Sequence, residues 1–372
     1  MKLVFWLCLS LIFFAYAGYP LCLYLRARFR PRPVRRARIF PKVTIVLAVH
    51  NEEKGLPRKL DNLAALEYPA DRLEVIVVSD GSTDRTNKIL GEWRNCTGRA
   101  VILLKHLGKA NALNHGIAEA HGEIICFTDA RQTIALDGLN NLIANFADPS
   151  VGCASGALIL GEKHSAPFSD GVGLYWRLEK NIRNWEGIAG STVGATGAFY
   201  AVRKDLLLPL PIGTILDDVY IPLQVARQGR RVVFDPDAVA WDDFTPRPEQ
   251  EFRRKVRTLA GNYQLLQLAP WVLTSANPLR LQFVCHKLLR LLVPFALVGA
   301  LVSTFWIRQD MYELALGFQI VLYTLAASTA LHAKAGVLSR LSNISLAFIL
   351  LNTAAAVALF YFLTGRKSLW AR

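Results

Sequence analysis

Three short acidic loops, each directly behind a run of apolar residues, carry the chemistry of this chain. They are Val77-Val78-Ser79-Asp80-Gly81-Ser82-Thr83-Asp84, Ile125-Cys126-Phe127-Thr128-Asp129-Ala130-Arg131 and Thr214-Ile215-Leu216-Asp217-Asp218-Val219. An apolar run of this length bounded by Gly, Ser and Asp reads as a buried strand, and open α/β sheets bind ligands beyond the carboxyl ends of their strands. Carboxylates gathered on one such rim suit a hard divalent cation with a diphosphate, and leave one carboxylate to take a proton from an acceptor.

The elements that must hold these loops follow from periodicity. Residues 43–49, 73–79, 100–104 and 123–127 read as strands, and residues 52–66, 86–93 and 109–120 between them carry apolar residues at helical spacing. This β-α-β-α-β-α-β order is a nucleotide-binding half with a parallel sheet. After Asp148-Pro149, a strand over 151–160, an amphipathic helix over 172–185 and a short strand over 197–202 form a second, acceptor-facing layer.

Taken in order, residues 43–69 (VTIVLAVHNEEKGLPRKLDNLAALEYP), 73–86 (LEVIVVSDGSTDRT) and 108–131 (GKANALNHGIAEAHGEIICFTDAR) resemble the nucleotide-sugar half of membrane-bound family 2 glycosyltransferases. The resemblance implies an α/β GT-A fold (Rossmann-like, nucleotide-sugar-binding) with flanking transmembrane α-helices. It also implies inversion at the anomeric carbon, a UDP-sugar in preference to a GDP-sugar, and Mg²⁺ or Mn²⁺. Any one motif alone is weak; the ordered set is specific.

Residue by residue, the resemblance makes Asp80 and Glu52 ligands of the nucleoside, with Asp84 and Glu53 supporting helix starts. Gly108-Lys109 opens a helix where backbone N–H groups and an ammonium meet phosphate. Asp129 is the first aspartate of a DxD-like motif and the expected metal ligand, but Arg131 stands where the second aspartate is usual and cannot ligate a metal. Asp217-Asp218 matches an acidic pair whose second member, Asp218, is the catalytic base, with Asp217 at the acceptor. The alternative for the pair is helix capping. Ala195-Thr196-Gly197-Ala198 matches a small-residue turn at the acceptor site, placing Thr196 and Gly197 there. The Gln-x-x-Arg-Trp motif of processive synthases survives only as Arg254-Lys255-Val256-Arg257-Thr258. Arg257 keeps a cation for the diphosphate, whereas Thr258 cannot stack on a sugar as an aromatic ring does.

The ends of the chain are apolar. Residues 3–25 form a nearly uncharged stretch of about 23, against the ~20 needed to cross the hydrocarbon as a helix. Ala15-Tyr16-Ala17 also has the form of a signal cleavage site, but the apolar run continues past it. Arg26, Arg28, Arg30, Arg32, Arg35, Arg36 and Arg38 follow, which places the amino terminus outside and the middle of the chain in the cytoplasm. The expected division is a span at 1–25, a basic linker at 26–40, the GT-A domain at 41–270, an interfacial helix at 280–290, about three spans within 288–363 and a basic tail at 364–372. Residues 280–290 also read as the charged flank of the next span. Three carboxyl-side crossings would leave Arg366, Lys367 and Arg372 outside, against the positive-inside rule.

The net charge of +14 invites a nucleic-acid reading, yet a juxtamembrane basic run serves anionic lipid equally well and no RNA or DNA module is present. The six cysteines have no spacing that suits zinc or a disulfide framework. The expected function is sugar transfer to a growing polysaccharide or lipid-linked glycan at the cell's inner or plasma membrane, with other synthesis or export subunits as partners. Two alternatives stand beside it: single transfer to a polyprenyl phosphate, and a non-catalytic nucleotide-binding subunit.

Overall fold

Strands β1 (Val43–Val49), β2 (Leu73–Asp80), β3 (Gly98–Leu103), β4 (Ile124–Thr128), β5 (Thr133–Ile134), β6 (Val151–Leu160), β7 (Phe199–Arg203) and β8 (Arg231–Asp242) form one sheet. Its order is β3-β2-β1-β4-β7-β6-β8-β5 in the computed structural model. The structure describes residues 1–93, 98–161, 170–242, 248–307, 309–331 and 337–365. Cys96 and most of the expected basic tail lie outside the described residues.

β1 pairs in parallel with both β2 and β4, and β2 with β3. The chain thus steps outward from β1 to β3 and returns to β1's other side for β4. That reversal opens a crevice at the carboxyl ends of β1 and β4, where Glu52 and Asp129 follow their strands. Successive side chains of a strand point to opposite faces; Ile45 and Leu47 join one core cluster and Val46 the other. Burial on both faces makes such strands continuous apolar runs, which is why their positions were readable.

Beyond β4 the sheet becomes mixed. β7 runs antiparallel to β4 and β6, while β8 runs parallel to β6. β8 and β5 escaped the sequence reading. In β8 the pairing with β6 skips from Phe234 to Val239, so Asp235-Pro236-Asp237 breaks the pattern a periodicity search needs.

The helices Thr86–Glu92 and Lys109–Glu119 fall within a residue of expectation. The helix expected from 52 begins only at Leu56. Residues 51–55 are instead held as a loop: Thr83 N–H donates to Asn51 Oδ1 at 2.8 Å and Glu52 N–H to Thr86 Oγ1 at 2.9 Å. Pro57 then sits in the first turn, where its missing N–H costs nothing.

Among the described residues, three helices are long and apolar enough to cross a membrane: Lys2–Phe29, Arg280–Trp306 and Val337–Leu363. The first widens into a π-helical turn over Phe14–Gly18, just before Pro20, whose ring and absent N–H disturb the regular ladder. It runs past residue 25 and carries Arg26 and Arg28 in its last turn. Of the three carboxyl-side spans expected, the middle one is the 18-residue helix Asp310–Ala327, with Asp310 and Glu313 in its first turn. It is not among the three. Residues 280–290 are not a separate interfacial helix; they form the opening turns of Arg280–Trp306.

Part of the arginine run lies against the domain. Arg36 pairs with Asp235 at 3.0 Å and Asp237 at 3.1 Å, and Arg32 N–H donates to Ile188 O at 2.8 Å. Arg231 donates to the carbonyl of Arg32 at 2.7 Å. The carboxylates of Asp235 and Asp237 thus hold one arginine that composition assigned to lipid.

Candidate active site

Asp217 and Asp218 open the helix Asp217–Arg227. The backbone carbonyl of Asp218 accepts from Ala195 N–H at 2.7 Å, which holds the small-residue turn against the acidic pair. A Cβ at Gly197 would stand 3.1 Å from Asp218 Oδ2. Glycine therefore keeps the space in front of this carboxylate open to a ligand. Burial, and then the adjacent Asp217, push the Asp218 carboxyl up to about 6, toward the range in which a general base works at neutral pH.

Asp217 faces the other way. Its buried Oδ2 lies 3.4 Å from Lys109 Nζ and accepts from Tyr200 Oη at 3.3 Å. Its carboxylate anchors Lys109 under the site. Lys109 Nζ also meets Asp129 Oδ1 at 3.0 Å. Burial works against the ammonium, but Asp129 and Asp217 outweigh it and hold Lys109 protonated. One lysine thus joins the carboxyl end of β4 to the acidic pair.

Asp80 is 2% exposed. Leu107 and Gly108 N–H donate to its two carboxylate oxygens at 2.9 and 2.7 Å, and His106 Nδ1 lies 2.8 Å away. In this arrangement the carboxylate shapes the loop that ends at Lys109, rather than standing open for a nucleoside. Above it the rings of His50 and His106 stack, centroids 3.9 Å apart, with His50 Nδ1 2.7 Å from Asp80 O. Glu52 is half-buried; burial raises its carboxyl, Arg131 opposes this and Asp129 adds to it. Glu52 therefore shares the crevice with the DxD-like turn.

Arg131 Nη2 donates to buried Asp242 at 2.6 Å, and Gln132 donates to the same oxygen at 2.9 Å. The arginine at the altered DxD position is turned toward β8. Arg257 is exposed on the helix Pro248–Leu268. That helix docks on the loop before Asp217, since Gln264 Oε1 accepts from Ile215 N–H at 3.1 Å. Among the described residues, no hydrogen bond or ion pair joins Arg257 to Asp129.

Several residues escaped the sequence reading. Lys59 is 1% exposed; its Nζ donates to Thr128 Oγ1 at 2.8 Å and Gln132 O at 2.7 Å, and burial pushes its pKa down to about 8. Its signal was legible, because a lysine between Leu56, Leu60 and Leu63 falls on the apolar face of a helix. Thr196 Oγ1 accepts from Arg183 Nη1 at 2.9 Å. Behind it, buried His286 lies between Glu186, 3.0 Å from Nδ1, and Glu179, 3.1 Å from Nε2. Glu186 also accepts from Tyr19 Oη at 2.6 Å and Thr192 Oγ1 at 2.9 Å. This network ties two of the long apolar helices to the turn that faces Asp218, and no spacing in sequence reveals it.

A divalent cation fits this rim in one way. Among the described residues, no three His, Cys, Asp or Glu side chains gather as a ligand set. Mg²⁺-type cations are commonly held by one or two carboxylates plus substrate phosphates, and Asp129, side chain 41% exposed, can supply one.

Residues 44–208 match the family described as "Glycosyl transferase family 2". A "Probable glycosyltransferase YdaM" of Bacillus subtilis (strain 168) is 27% identical over 236 residues, covering 60% of this chain and 55% of the relative. The "Poly-beta-1,6-N-acetyl-D-glucosamine synthase" of Staphylococcus aureus (strain COL) is 26% identical over the same length, with the same coverage. The chain spans about half the length of these curated relatives. Among solved structures, a mannosyltransferase, PcManGT from Pyrobaculum calidifontis in complex with GDP-Man and Mn²⁺, superposes with a TM-score of 0.74 at 24% identity. It covers 98% of this chain and 99% of its own. At that identity the likeness carries the fold, GT-A.

Proposed function

We propose that this chain, whose residues 44–208 match the family 2 glycosyltransferases, moves a sugar from a nucleoside diphosphate sugar, UDP-linked, to a membrane-associated glycan acceptor with inversion. The observation that carries this reading is Asp218 facing the open space at Gly197, with Lys109 bridging Asp217 and Asp129 beside it. A binding module has no use for a carboxylate placed in this way.

The donor's diphosphate lies against Lys109 and the amino-terminal N–H groups of Lys109–Glu119, where helix dipole and ammonium both favour anions. Asp129 would hold a divalent cation together with donor phosphate oxygens, and the ion would neutralise charge on the departing diphosphate. The Mn²⁺ of the solved mannosyltransferase supports a divalent cation. Asp218 takes the proton of an acceptor hydroxyl as its oxygen bonds to the anomeric carbon. The bond from that carbon to the diphosphate breaks, and the electron pair leaves with the nucleoside diphosphate. Glu52 and the loop shaped by Asp80 hold the nucleoside. Arg257, on the helix that docks on the loop before Asp217, is the cation we assign to the departing diphosphate. Thr196 and Gly197 line the acceptor side.

The deciding experiment incubates membranes containing the protein with a panel of radiolabelled UDP- and GDP-sugars and separates products on a gel. A ladder from one UDP-sugar is the expected result; absence of transfer from every donor overturns the reading. A single extractable glycolipid would favour the one-step alternative, which Thr258 supports by removing the aromatic platform.

The pH profile is a further prediction. Transfer needs Asp218 ionised, and its pKa is raised to about 6. The rate at saturating donor should therefore fall about tenfold per pH unit below 6 and be flat above it, until another group titrates. A profile flat down to pH 4.5 contradicts the assignment.

We place the catalytic domain on the cytoplasmic face. Arg26 and Arg28 close the first long apolar helix, and nucleotide sugars are cytosolic. In a cysteine-free background, Lys88→Cys should react with a membrane-impermeant thiol reagent only after permeabilisation. Labelling of intact cells reverses the placement.

A further inference from the structure

Beside Thr196 a cavity of about 340 Å³ opens between the helix Asp170–Ala189 and the ends of β6 and β8. One wall is apolar, from Leu158, Leu160 and Phe234. The other carries Arg177, Lys180 and Arg183. These three follow one another at three-residue steps, about 4.5 Å of helix rise each. Arg183 is the one whose Nη1 reaches Thr196, so the row ends at the acceptor turn.

The charge around this wall does not balance. Among the described residues Glu179 is the one carboxylate lining the cavity, and it is claimed from behind by His286, Lys287 at 3.3 Å and Arg290 at 2.8 Å, and from its own helix by Arg183 at 3.5 Å. Burial alone would raise its carboxyl, yet Lys287, His286 and Arg290 hold it well below the usual carboxylate range. Arg177 and Lys180 are exposed and form no ion pair with a described carboxylate. Behind them, Arg290 Nε and Nη2 and Trp176 Nε1 are buried donors without an acceptor among the described residues. Lys255 lies over the Trp176 ring at 4.9 Å, but it is paired with Glu251 at 3.8 Å and adds no unbalanced charge. The positive charge of half-buried Arg183 and Arg290, the latter with donors to spare, is costly unless an anion meets it.

The cavity also sits where the domain joins the long apolar helices. Leu178, Ile182 and Trp185 of the same helix pack on Tyr19 and Leu23, and Glu179 reaches Arg290 of Arg280–Trp306. An anion bound here stands at the side of the domain that packs against the long apolar helices.

We propose that this cavity is the acceptor subsite, and that it takes the phosphate or diphosphate of a carrier lipid bearing the acceptor sugar. This deepens the sugar-transfer reading and rests on it. The phosphates lie along Arg177, Lys180 and Arg183, and the lipid chain leaves over Leu158 and Leu160 toward the apolar helices. In the first transfer the sugar on the carrier passes Thr196 and presents its hydroxyl to Asp218; in later transfers the lengthened glycan takes that place and the phosphates leave the row. That hydroxyl loses its proton to Asp218 and gains the bond to the donor's anomeric carbon, while the carrier phosphates keep all their bonds.

The test needs no donor. Full-length protein in neutral-lipid vesicles is titrated with a short polyprenyl-diphosphate monosaccharide and, separately, with the same sugar on an uncharged polyprenyl ether, following tryptophan fluorescence. The diphosphate lipid should bind about tenfold or more tightly, and Arg177→Gln with Lys180→Gln should erase that difference without changing the ether's affinity. Both residues are exposed, so the double variant should fold; an unchanged thermal midpoint checks this. Equal affinity for the two lipids overturns the proposal, and so does full competition by phosphatidylglycerol, which would make the row a general head-group site. Donor binding, measured by titration of nucleotide sugar alone, reports separately on the transfer reading. A protein that binds donor and shows no preference for the diphosphate lipid loses only the subsite.

Discussion

Asp218→Asn should lower sugar transfer by ~10²–10⁴, the range a placed base contributes, and leave donor affinity near wild type. The amide keeps the shape of the carboxylate and removes only its capacity to accept the proton. Stability gives an internal control. Asp218 lies against Asp217, and burial and that neighbour raise its carboxyl to about 6; an amide there relieves repulsion between neighbours. The variant's thermal midpoint should match or exceed wild type at pH 7.5, so lost activity cannot be ascribed to unfolding. Single-turnover rates on the transferred sugar measure the effect, and transfer within about tenfold of wild type removes Asp218 from the role of base.

Asp129→Ala should abolish the part of donor binding that depends on a divalent cation, and with it activity. Asp129 is the carboxylate of the DxD-like turn, because Arg131 is committed to Asp242. The same substitution releases Lys109 from one of its two carboxylates. The site therefore becomes more positive, and metal-free affinity for a nucleoside diphosphate should hold or improve. Calorimetry of nucleoside diphosphate with and without Mn²⁺ separates the two terms. In the wild type Mn²⁺ should tighten binding; in the variant that increment should vanish. An undiminished increment moves the cation away from Asp129.

The sequence by itself determined the nucleotide-facing half of this protein. β1, β2 and β4 are buried on both faces, so each must be an unbroken apolar run, and the polar residues that end each run must lie on one rim. That argument alone gathers Glu52, Asp80 and Asp129 at one edge of the sheet. It also places long apolar helices at both ends, since chain length against bilayer thickness is a one-dimensional quantity.

What each of those side chains faces was decided only by the tertiary structure. Asp217 and Asp218 are neighbours in sequence and nearly equal in chemistry, yet one anchors Lys109 and the other fronts Gly197, because consecutive residues of a helix point about 100° apart and meet different surroundings. Arg131 met Asp242 across 111 residues, and the arm holding Arg36 met Asp235 across 199, through a strand whose bulge hid it from periodicity. The Glu179–His286–Glu186 network joins residues 100 or more positions apart. Contacts of that separation depend on how helices dock on the sheet, and docking follows from shape and summed burial, which a local pattern of residues does not encode.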